Sequence, residues 1–91
     1  MDFIHENFRI YVLDDTGQLV ADVTFPAIDQ KTVNINHTYV HPSLRGQGVA
    51  DKLIREAIAD IQSRGLKTET TCSYAKKWFT AHKEFSNILA D

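Results

Sequence analysis

A single cysteine, Cys72, stands among the 91 residues, so no disulfide can form within the chain. Its solitude also rules out a structural zinc site built on thiolates. The histidines, at positions 5, 37, 41 and 82, lack metal-ligand spacing. Neither sign of charge dominates: 10 basic and 12 acidic side chains leave a formal net charge of −2, which argues against a general electrostatic grip on nucleic acid or an anionic membrane. No apolar run approaches a membrane span. The opening MDFIHENFRI lacks the basic region and apolar core of a signal peptide, and a cytoplasmic home is expected. There is no G-x-S-x-G stretch for a serine hydrolase. Repeats and low-complexity segments are also missing. The length suits one domain, residues 1–91, and the apolar fraction of 43% is ordinary for a globular chain. A monomer or weak homodimer is expected.

Glycine is scarce too, and two of the four glycines fall within three positions, at 46 and 48. They lie in the stretch that organises the chain, VHPSLRGQGVADKLIREAI at 40–58. It reads as the end of a strand, a tight turn and an amphipathic helix. Glycine permits positive φ and close approach of a ligand to the backbone. The first N–H groups of the following helix have no partner within it, and the dipole there is positive. With Arg45 adding a full charge, the turn suits a phosphate or pyrophosphate. The alternative is a strand–helix turn whose glycines only solve geometry. A dinucleotide fingerprint fails because position 51 is Asp51 rather than a third glycine.

A run of strand formers marks a strand at 8–13 and period-2 alternation one at 18–25; the turn Asp14-Asp15-Thr16-Gly17 between them makes an antiparallel hairpin. Leu19, Ala21, Val23 and Phe25 are expected inward, Asp22 and Thr24 outward. A third strand covers 33–40, with Val33, Ile35, His37 and Tyr39 on one face. On that pattern His37 is expected to be a hydrogen-bonded core histidine. The helix at 49–64 has apolar stripes at Val49, Leu53, Ala57 and Ile61 and at Ala50, Ile54 and Ile58, and Gly65 is placed to cap it. A short strand at 66–72 follows, parallel to the third through a right-handed crossover. Ser73 is positioned to cap a last helix at 74–82, whose apolar side is Ala75, Trp78, Phe79 and His82. The fold class is α+β with a mixed sheet, in the order β-β-β-α-β-α.

Val40-His41-Pro42 followed by Arg45-Gly46-Gln47-Gly48-Val49-Ala50 resembles motif A of the GNAT-type acetyltransferases. There an Arg or Gln opens the loop, Gly follows three positions on, and Gly or Ala two after that; Arg45, Gly48 and Ala50 match. Cys72-Ser73-Tyr74, then Trp78-Phe79 and His82, is similar to a small GNAT-like subfamily with a Cys-Ser-Tyr signature after its last strand. The resemblance implies a minimal GNAT fold without the helical segment that larger members carry between their first strands. It implies acetyl-CoA as cofactor, its pyrophosphate held by Arg45, Gly46, Gln47, Gly48, Val49 and Ala50 and its thioester near the backbone of Val40. The partner would be an unidentified amine acceptor. Cys72, beside a helix start, would be a nucleophile that accepts the acetyl group, or else an inert buried thiol. Tyr74 would give a proton to the departing thiolate, or else simply pack. Many relatives carry an acid in the strand before the loop; this chain has Tyr39 there. That departure leaves open a second function, a non-catalytic CoA-binding or protein-interaction module.

Overall fold

The computed structural model describes residues 1–90. The expected hairpin is present, as β2 (Arg9–Leu13) and β3 (Leu19–Thr24). Asp14 closes its turn by accepting from the backbone N–H of Thr16 and Gln18, and Gly17 takes φ +84°. A further strand, β1 (Ile4–Glu6), pairs antiparallel with β2 at the sheet edge. Sequence reasoning missed it because all its residues are exposed and show no alternation. Phe8, in the turn joining β1 to β2, has φ +61°, a conformation normally left to glycine.

The expected third strand is two strands. β4 (Thr32–Ile35) pairs parallel with β6 (Lys67–Thr70), as the crossover requires. β5 (His37–Val40) pairs antiparallel with β3, giving the order β1-β2-β3-β5 in the larger sheet. The chain changes sheets at Asn36, whose N–H donates to the carbonyl of Thr24. The change shifts the parity of the strand. Val33 and Ile35 are buried in the core, yet His37, two residues on, is exposed. A one-residue slip exchanges the two faces of a strand. His37 is therefore a surface residue, not the core histidine the alternation predicts.

The central helix α1 (Val49–Ser63) buries Val49, Leu53, Ile54, Ala57, Ile58 and Ile61, nearly the stripe expected. It packs on β2, β3 and β5. Against it lie Ile10 and Val12 of β2 and Ala21 and Val23 of β3, with Phe25 just beyond. Gly65 follows the helix at φ +68°, its N–H bonded to the carbonyl of Gln62 and that of Leu66 to Ile61. This is the six-to-one and five-to-two pattern of a Schellman cap. The last helix, α2 (Ser73–Ala81), buries Ala75, Trp78 and Phe79. Its N-cap is Cys72 rather than Ser73, and no side chain caps it. A short 3-10 segment, Lys83–Ile88, then brings Leu89 and Ala90 beside Thr68 of β6. Among the described residues no helix is long and apolar enough to cross a membrane.

Candidate active site

β4 and β6 run side by side up to Ile35 and Thr70 and then part. The carbonyl of Ile35 accepts from both Thr71 N–H and Cys72 N–H, at 3.2 Å each, and so closes the apex of a fork. One arm is β5, which leaves to join β3. The other leads through Cys72 into α2. Across the opening, Thr38 Oγ1 lies 3.4 Å from Cys72 Sγ.

At the far end of β5 the chain enters a 3-10 turn, Pro42–Leu44, capped by His41, whose Nδ1 accepts from Ser43 N–H at 3.0 Å. Gly46 and Gly48 then adopt φ +81° and +73°. Both need positive φ, as the turn predicts. An added Cβ at either would meet no heavy atom within 4 Å, so the space over this backbone is open. Gly48 is the N-cap of α1 and supplies no side-chain acceptor. The first helical hydrogen bond runs from Lys52 N–H to Gly48 O at 3.1 Å, which leaves the N–H groups of Val49, Ala50 and Asp51 without an intrahelical partner.

These groups border a cavity of about 240 Å³ walled by Val40, Leu44, Arg45, Gly46, Gly48, Val49, Ala50, Asp51 and Tyr74. An adjoining cavity of about 210 Å³ shares Val40, Arg45, Ala50 and Tyr74 and extends to Thr38 at the fork. Two residues singled out from the sequence lie off this wall. Gln47 turns its amide to the carbonyl of Ser43 at 3.4 Å. Cys72 is half-buried against the core and borders the cleft through Thr38. Leu44, Asp51 and Thr38 line it without having been anticipated in that place. The donors, the positive helix end, Arg45 and the open space above two glycines fit a pyrophosphate.

Asp51 puts a carboxylate into this positive wall, and two neighbours hold it. One oxygen accepts from Trp78 Nε1 at 2.7 Å, the other from Arg55 Nε at 3.0 Å. The indole hydrogen bond, with Arg55 adding to it and burial opposing, keeps Asp51 below the usual carboxylate range. Tyr74 moves the other way. Burial, then the nearby charges of Asp51 and Cys72, raise its phenol above the ordinary value of 10.0, so it stays protonated at neutral pH.

The description "GCN5-related N-acetyl-transferase" belongs to a family whose pattern matches residues 7–88. The chain belongs to that family. Superposition agrees: the solution structure of a GCN5-like protein from Staphylococcus aureus matches 98% of this chain and 87% of its own, with a TM-score of 0.81 and 27% identity. The fold of the GNAT protein YhbS from Escherichia coli, solved in complex with CoA, covers 85% of this chain and 43% of its own at a TM-score of 0.64 and 23% identity. Protein NATD1 of Xenopus tropicalis is 33% identical over 58 residues, which are 64% of this chain and 53% of that protein. The chain thus spans about half the length of this curated relative. A small GNAT-type domain with a mixed α+β fold is what motif A implied, and it is what the fold and the family match give.

Proposed function

We propose that the domain moves an acetyl group from acetyl-CoA to an amine acceptor. The observation that carries this reading is the uncapped N-terminus of α1, opening with Arg45 onto a cavity that continues to Thr38 at the fork. In this reading the N–H groups of Val49, Ala50 and Asp51, the backbone at Gly46 and Gly48, and Arg45 hold the pyrophosphate of CoA. Gln47 shapes the turn through Ser43. The backbone of Val40 lies beside the acyl carbonyl. The bound donor supplies an activated thioester, and the protein's part is to position the amine and manage protons. Tyr74, kept protonated, hands its proton to the departing thiolate. Cys72 offers a thiol at a helix start that accepts the acetyl group before the amine does. CoA in the YhbS complex and N-acetyl-glutamate with CoA in the Neisseria gonorrhoeae N-acetylglutamate synthase support the donor class.

Intact-mass measurement after incubation with acetyl-CoA tests the reading. One added acetyl group, lost in Cys72→Ala, supports the relay. Release of CoA with primary amines and no adduct supports direct transfer. Tyr39, at the position where the resemblance to motif A leads one to expect an acid, favours a second reading, a CoA-binding module without turnover. Tight CoA binding with neither adduct nor release would establish it.

A further inference from the structure

A second cavity, of about 490 Å³, borders α2 on a side that the donor cleft does not use. Tyr74 walls the cleft, and Trp78 bonds to Asp51 at its edge. Lys76 follows Tyr74 by two positions, about 200° around the helix. With Phe79, Thr80 and Lys83 it continues a separate stripe at helical spacing, and these four wall the second cavity.

Two further segments close it. The 3-10 segment after α2 contributes Lys83 and Ser86, and its end is fixed where Leu89 N–H donates to Ser86 O at 3.1 Å and Ala90 N–H to Thr68 O at 2.8 Å. That last bond sets Leu89 beside β6, which contributes Thr70, its final residue before the fork. Phe79, buried, and Leu89, half-buried, form an apolar floor. Around the floor stand two ammonium groups and three hydroxyls, and no carboxylate is among the described residues that wall the cavity. Lys67 nearby gives its ammonium to the carbonyl of Asn87. Lys76 and Lys83 make no ion pair among the described residues.

Lysines on a solvated helix face need no hollow between them. Here they flank one whose floor is apolar. An apolar floor with a few converging polar groups is the character of a small-molecule site, and such sites run from about 300 to 1,000 Å³. Ammonium groups only donate, and carboxylate and phosphate oxygens only accept. We propose that this cavity binds a small molecule with an apolar body and an anionic head, a carboxylate or a phosphate. The body lies on Phe79 and Leu89. Lys76 and Lys83 hold the head, with the hydroxyls of Thr70 and Ser86 as further donors. Thr80 commits its proton to the carbonyl of Lys76 at 3.0 Å and so shapes the wall. The site is separate from the turn at Arg45 and does not depend on the acetyl-transfer reading.

Phenylacetate and benzylphosphonate probe the two heads on one body. Benzyl alcohol is the neutral counterpart, and benzylamine reverses the charge. The titrations contain no CoA, so their outcome is independent of donor binding. In 15N-labelled protein, the anions should move the backbone amides of Thr70, Phe79, Thr80 and Lys83, and the tighter of the two names the head. Benzyl alcohol should bind about tenfold more weakly, and benzylamine should leave these amides in place. Lys76→Gln and Lys83→Gln alter exposed side chains, so the spectrum away from the cavity should be retained. Each should weaken the tighter anion about two- to fivefold. Added salt should weaken it too. Amides at the cavity that stay in place at tens of millimolar of either anion overturn the proposal, as do shifts confined to the turn at Gly46 and Gly48. Equal affinity for benzyl alcohol, shifts of the same amides by benzylamine, or undiminished binding in both lysine variants would show that the lysines hold no anion, and each overturns it as well.

Discussion

Asp51 shows how a single side chain ties the cleft to the second helix. Its bond to the Trp78 indole links the first turn of α1 to the buried face of α2, and Arg55 lies both on Asp51 and over the Trp78 ring. The folded state holds this carboxyl below its ordinary value of 3.8, chiefly through the indole N–H. A depressed carboxyl contributes stability that is present above the unfolded value and lost as pH falls through the folded one. Trp78→Phe removes the donor while keeping an aromatic ring. Because Asp51 is partly solvated, the bond contributes about 1 kcal/mol rather than the larger figure for a buried charge. Urea unfolding should show that deficit at pH 7 and a smaller one at a pH low enough to protonate Asp51 in the folded state. An equal deficit at the two pH values would mean that the loss is one of packing. Gly48 makes a second test at this scale. With φ +73° and nothing near an added Cβ, Gly48→Ala should cost about 1 kcal/mol of backbone strain without a clash. It should also weaken CoA binding, read by titration calorimetry. Undiminished affinity would move the phosphate site off this turn.

The elements divide by how they announce themselves in sequence. α1 was readable almost residue for residue, because a buried stripe in a surface helix needs the 3.6 period and the helix has it. Its end was readable as well, since only glycine sits easily at φ +68°. Gly65→Ala should therefore lower stability by about 1 kcal/mol with the helix content unchanged by circular dichroism. The strand break at Asn36 was not readable. Apolar and polar residues keep alternating through 33–40, and nothing in that pattern records which strand each half pairs with. The misplacement of His37, and with it the pairing to Asp22, follows from this one hidden step. Asp22, whose side chain is buried beside Arg9 and His37, itself misled because a charged residue on an alternating strand reads as solvent-facing unless its partners are known. Arg9 lies 13 residues away and His37 arrives from another strand. The anion turn was found because its requirements are local; the Arg9–Asp22–His37 cluster is a product of tertiary pairing.

At the scale of the whole molecule, a chain of 91 residues folds around one core with a Cα radius of gyration of 12.7 Å, as expected for a domain this small. Such a domain buries a modest share of its surface, and its stability is correspondingly small. A ligand that binds only the folded state should then have a large proportional effect. At a hundredfold excess over its dissociation constant, CoA should add about 2.7 kcal/mol. For a domain of this size each kcal/mol raises the melting temperature by roughly 4–8 °C, so the shift should exceed about 10 °C. The cleft also makes the prediction selective. The donors at the head of α1 and Arg45 address the pyrophosphate, whereas pantetheine offers only the arm that would lie toward Thr38. Pantetheine should therefore give little shift at the same concentration. Arg45→Ala should reduce the shift with CoA, and added salt should reduce it in the unmodified protein more than in the mutant, because part of the screened attraction has been removed. Equal shifts from pantetheine and CoA would show that the phosphates are not bound at this turn, whatever else the cleft accepts.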